Sequence, residues 1–87
     1  MNKKDKVKEY FEANRLDEAV ALLSSMDESD AWVLFMRGRI AWKRGDKAGA
    51  ISLYEQAVDV DPASEAAVAL EQARNIMNFF NKDLLNP

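Results

Sequence analysis

The feature that most constrains this chain is that it repeats itself. Shifting the sequence by 31 residues lays Tyr10-Phe11 on Ala41-Trp42, Asn14 on Gly45, Ala19-Val20 on Ala50-Ile51, and Leu22-Leu23 on Leu53-Tyr54. Each copy holds two runs of helical apolar spacing joined by a short break, so the repeating unit is a pair of helices. A pair of this kind cannot bury its apolar stripe alone and must stack on its neighbour. With 87 residues there is room for two pairs and one further helix in a single domain.

Punctuation along the chain sets the elements. A first helix is expected over about Lys3–Ala13, ended by Asn14, a residue suited to the left-handed position after a helix. A second covers about Leu16–Met26, and the polar turn Asp27-Glu28-Ser29-Asp30 supplies a cap, Ser29 or Asp30, for the third, about Ala31–Arg44. Gly45 stops that helix and Asp46 caps a fourth, about Lys47–Val60, which Asp61-Pro62 ends. Ser64 starts a fifth, about Ser64–Phe80. Three glycines and two prolines in the whole chain leave the helices uninterrupted, and no strand pattern competes. The expected class is all-α, five helices packed as antiparallel pairs.

Residues Ala31 to Ser64, with Gly38, Gly45-Asp46, Ala50-Ile51, Tyr54, Ala57 and Asp61-Pro62, resemble one full tetratricopeptide repeat of about 34 residues. Small residues at 38, 50 and 57 let the two helices of a repeat cross closely, and Tyr54 fills the gap to the neighbouring helix. Arg37 and Ala41 stand where the family has large apolar residues, and Trp32 and Trp42 nearby are expected to supply that bulk. The resemblance implies a short superhelix of about two repeats and a cap. Residues 1–29 form a degenerate first repeat with Val7 in place of Gly38, 30–63 the full repeat, 64–81 a capping helix and 82–87 a tail.

The family lines its groove with the first helix of each pair. Carried over, this implies Lys4, Lys8, Phe11 and Glu12 from the first pair; Trp32, Phe35, Met36, Arg39, Trp42 and Lys43 from the second; and Ala66, Ala69, Ala73, Ile76 and Met77 from the cap. Independently of the family, Trp32, Phe35, Arg39 and Trp42 fall three or four residues apart and so share one helical face. Charge also alternates in blocks: Met1–Leu16 holds five basic and three acidic residues, Asp17–Asp30 no basic and five acidic, Ala31–Lys47 five and one, and Ala48–Pro87 two and six. The blocks predict a basic, aromatic concave face and an acidic back. The ligand-binding candidates are Phe35 and Trp42 as apolar anchors, with Arg39, Lys43, Lys8 and Lys4 as carboxylate contacts. Lys4, Lys8 and Arg39 resemble the carboxylate clamp of the chaperone-binding branch, but no asparagine occupies a groove position in the first two pairs, and that activity is not assigned.

Other classes fare worse. The chain has no histidine and no cysteine, which removes the commonest general base, thiolate nucleophiles and the usual zinc and iron–sulfur ligands. Acid pairs such as Asp17-Glu18 and Asp27-Glu28 sit at helix ends, the latter without the central glycine and closing glutamate of a calcium loop. Ser24, Ser25 and Ser52 have no base to activate them. No enzyme, cofactor or metal site is expected. RNA binding through the basic third helix is the lowest-ranked reading, since a net charge of −3 opposes it. The longest apolar run, Ala31 to Met36, is too short to span a bilayer, and no apolar run follows the basic start, so a cytoplasmic protein is expected. The C-terminal stretch carries surplus apolar residues, Phe79, Leu84 and Leu85. These either fold back over the end of the stack or meet a second copy in a homodimer. The reading is therefore a non-enzymatic module that binds another protein or peptide, with self-association through the C-terminal end as the alternative.

Overall fold

A computed structural model describes the backbone of residues 2–85 and the side chains of residues 2–78. Five helices follow one another: α1 (Lys3–Glu12), α2 (Leu16–Leu23), α3 (Ala31–Lys43), α4 (Lys47–Val60) and α5 (Ala66–Leu85). No strand occurs among the described residues. Neighbours in sequence pack on one another, α1 on α2, α3 on α4 and α4 on α5, with α2 and α5 also reaching α3.

The 31-residue repeat is written into the backbone. After α1, Asn14 takes a left-handed conformation (φ 61°), and after α3 Gly45 does the same (φ 88°). Around Asn14, the Asn14 amide donates to the Phe11 carbonyl (3.0 Å) and the Arg15 amide to that of Tyr10 (2.8 Å). Around Gly45, the Gly45 amide donates to Trp42 (3.0 Å) and the Asp46 amide to Ala41 (2.9 Å). The two turns are the same hydrogen-bonded C-terminal cap, which satisfies carbonyls that the last helical turn leaves open. Capping at the helix starts follows expectation too. Asp30 accepts from the Trp32 amide (2.8 Å) at α3, and Asp46 from the Gly49 amide (2.9 Å) at α4.

Three boundaries differ from the sequence reading by two residues or more. Helix α2 stops at Leu23, not Met26. There the hydroxyls of Ser24 and Ser25 donate to the carbonyls of Val20 and Leu22 (2.9 and 2.6 Å), and the backbone tightens into three-residue bonds. Helix α5 starts at Ala66, not Ser64. The Asp61 carboxylate accepts from the Ala63 amide and the Asp61 carbonyl from the Ser64 amide, which closes a turn after Pro62. At its far end α5 runs on to Leu85, so residues 82–85 extend the helix and the expected tail does not leave it at 82.

Helix α3 lies at the centre, with Val33, Leu34, Phe35, Met36, Gly38 and Ile40 all buried. Gly38 is required: a Cβ there would stand 2.5 Å from Cε1 of Tyr54 and 3.3 Å from the Ala50 carbonyl oxygen. Phe35 packs against the same tyrosine with ring centroids 6.1 Å apart. Arg37 is half-buried and lies with Leu34 and Leu53 along another side of α3, with neither tryptophan in that wall. The tryptophans therefore do not fill its place. The Nε of Arg37 is buried without a hydrogen-bond partner. Ion pairs Arg44–Asp17 and Arg74–Glu55 tie α3 to α2 and α5 to α4 at the surface.

Candidate functional site

Two adjoining grooves open on the Phe35 side of α3. The first, of about 510 Å³, lies between α3 and α5 with Tyr54 of α4 at its floor. Its walls are Phe35, Arg39 and Trp42 on one side and Val68, Ala69, Gln72, Ala73 and Ile76 on the other, with Glu65 at one end. The alanines of α5 are what keep this space open. The second groove, also about 510 Å³, runs on from the first, since Phe35 and Glu65 line both. It is bounded by Lys4 of α1, Trp32, Val60 and the turn residues Asp61, Ala63 and Ser64, with Asp30 and Ala31 at the start of α3.

These grooves gather the exposed apolar surface. The large hydrophobic side chains exposed among the described residues are Val60 (54%), Val68 (60%) and Ile76 (42%), and every one of them lines a groove wall.

The half-buried aromatics carry cations over their rings. The Lys4 ammonium lies 5.2 Å from the Trp32 ring centroid and Lys47 lies 4.5 Å from Trp42. Arg39 stands 4.4 Å from Phe11 and 5.6 Å from Phe35, and Lys43 stands 4.6 Å from Phe11. Tyr10 has Lys6 and Arg15 at 5.0 and 5.3 Å. Each contact contributes about 0.5–1 kcal/mol at an exposed site. Burial pushes the Tyr54 hydroxyl above its usual range, and the Arg39 charge offsets part of that rise.

Among the predicted binding residues, the structure brings Phe35, Arg39 and Trp42 together in the first groove and puts Lys4 in the second. Lys8 is exposed on α1 and lines neither. Lys43 turns to the end of α1, where its ammonium donates to the Phe11 carbonyl (3.3 Å). The predicted interface residues Phe79, Leu84 and Leu85 lie outside the described side chains. The expected charge pattern needs correction: Glu65 sits in both grooves, and Asp30 and Asp61 join it in the second, where Lys4 is the single basic residue. Sequence reasoning took Asp30 and Asp61 as helix punctuation and missed that this punctuation faces the groove. It likewise missed Glu65, Val60 and the Ser64 hydroxyl, which is buried without a hydrogen-bond partner. Among the described residues no cluster of three or more metal-ligating side chains occurs, and no helix is long and apolar enough to cross a membrane.

Residues 31–64, from the first residue of α3 to the turn before α5, match the family model of the tetratricopeptide repeat. Over that segment the chain is similar to a tetratricopeptide repeat. No curated protein and no solved structure matches it. In this repeat α3 and α4 are the two helices, Gly38 and Tyr54 their crossing, and α5 the helix stacked behind them. Tetratricopeptide repeats are non-catalytic modules that generally mediate protein–protein interaction.

Proposed function

We propose that the protein is a non-enzymatic adaptor that holds an extended segment of a partner protein in the groove between α3 and α5. Phe35 and Trp42 supply apolar wall, and Arg39 supplies a charged hydrogen-bond donor for a carboxylate of the segment. The observation that carries this reading is the placement of Val68 and Ile76, exposed large hydrophobic side chains of α5 that line this groove. Scattered exposed apolar residues need no explanation, but a contiguous lined groove of them marks a binding surface. Lys8 and Lys43 stand outside the walls and add positive potential near the Arg39 end. A groove with one full lining helix and its neighbour is small, so modest affinity is expected.

The test is a selection of binders from a random peptide library, with dissociation constants then measured for wild type and Arg39→Glu. Binding should weaken about tenfold or more, the scale of a lost charge-assisted contact, while the melting temperature holds. Equal affinity in the variant overturns the Arg39 role.

A second copy of the chain is the competing occupant, because Val68 and Ile76 are exposed on the same helix that carries Phe79, Leu84 and Leu85. Sedimentation equilibrium separates the two. A concentration-dependent dimer that excludes selected peptides would favour self-association.

A further inference from the structure

The second groove has the wrong charge for the ligand that the first invites. Arg39 marks the first groove for a carboxylate, yet Asp30, Asp61 and Glu65 line the second together with Trp32. None of these three acids forms an ion pair among the described residues. Two of them are held in place by the backbone, Asp30 by the Trp32 amide and Asp61 by the Ala63 amide. The chain already shows what this site accepts. The Lys4 ammonium lies over the Trp32 ring at 5.2 Å, without a carboxylate in ion-pair reach. Beside it the Ser64 hydroxyl oxygen is buried without a hydrogen-bond partner.

We infer that the second groove is a cation subsite: a lysine or arginine side chain of the bound segment lies over Trp32 in the place Lys4 holds in the free protein. The inference rests on the groove reading above and specifies its ligand. The segment is bipolar, with its basic residue at Trp32 and its acidic residue at Arg39. Trp32 and Arg39 are seven residues apart on one helix, about 10 Å at 1.5 Å per residue. A segment in the polyproline II conformation covers about that distance in three residues and returns its side chains to the same face every third one, so the two charges stand three positions apart. Lys4 is then a competitor of the ligand, whereas a carboxylate-binding Lys4 would be its partner. The two roles predict opposite effects of removing it.

The probes are capped hexapeptides, Gly-Arg-Leu-Leu-Asp-Gly and its charge-reversed order, each with a partner in which glutamine replaces arginine or asparagine replaces aspartate. The two tryptophan indole N–H resonances of the nitrogen-15-labelled protein report the two grooves separately. The expected result is that one order shifts both resonances, and that the glutamine version loses the shift at Trp32. Lys4→Ala should tighten the arginine peptide about two- to fivefold, the reach of one exposed cation–π contact. Lys4→Gln, which keeps much of the stem, should do the same, and Asp61→Asn with Glu65→Gln should weaken it. The inference is overturned if Lys4→Ala weakens binding, or if the glutamine peptide binds as tightly as the arginine one. Shifts at Trp42 alone overturn the cation subsite and leave the groove standing. No shift at millimolar peptide overturns both.

Discussion

At the crossing of α3 and α4, Gly38 lies against the Tyr54 ring. At the matching places of the first pair, 31 residues earlier, stand Val7 and Leu23, both fully buried. One pair fills its crossing with nothing and a large ring, the other with two aliphatic side chains of middle size. The turn that joins the helices is the same in both, down to the two backbone hydrogen bonds. The pairs therefore share a backbone solution and divide the interior volume differently. Interiors tolerate that exchange when volume is conserved and resist it when one side changes alone.

Moving the first pair's residues into the second is the most disruptive way to probe this. Gly38→Val drives a branched side chain into Tyr54 and should cost about 3 kcal/mol in urea unfolding. Adding Tyr54→Leu rebuilds the first pair's arrangement, and the double variant should recover about half of that loss. A double variant no better than the sum of its parts would show that the crossings are not interchangeable.

The opposite change, Val7→Ala, leaves a gap that Leu23 cannot fill and should cost about 2 kcal/mol. Next come the turns. Gly45→Ala forces a Cβ into the left-handed region and should cost about 1–2 kcal/mol. Asn14→Ala at the equivalent turn should cost less, because asparagine already carries part of that strain. Equal losses would mean that the two turns are strained alike.

The smallest effect separates the loops after α2 and α4. The Ser29 hydroxyl, and then the Ser29 amide, hold the Asp27 carboxyl below its ordinary value of 3.8. The resulting stability is present in full above that ordinary value and is lost as pH falls through the lower, folded-state one. Ser29→Ala should therefore flatten the acid limb of a stability–pH curve slightly. Ser64→Ala, in the loop after α4, removes a hydroxyl without a hydrogen-bond partner and should leave that limb unchanged.

Much of the fold was legible because helix ends use few residue types. Asn14, Gly45, Asp30 and Asp46 each announced a boundary and each makes the backbone bond that its chemistry suggests. The end of α2 was not legible, because Leu22-Leu23-Ser24-Ser25-Met26 keeps helical spacing while the serine hydroxyls compete for the last carbonyls. In the site, the shared face of Phe35, Arg39 and Trp42 followed from period alone. Charge did not. Counting charge by blocks averages over all sides of a helix, so it could not foresee that Asp30, Asp61 and Glu65 would face the second groove or that Lys43 would turn to the Phe11 carbonyl. Lys4, expected to meet carboxylates of a ligand, lies over an aromatic ring of its own chain, a contact that its spacing did not show.

The cation over Trp32 bears on how fast a ligand can bind. Among the described residues, what must leave the Trp32 ring is one exposed side chain. Exposed side chains exchange rotamers in about nanoseconds or less, far faster than two molecules meet at ordinary concentrations. Binding should then follow a single exponential whose rate rises linearly with peptide concentration, without a plateau. Removing Lys4 should act mainly on the association rate, because it raises the fraction of molecules whose second groove is open.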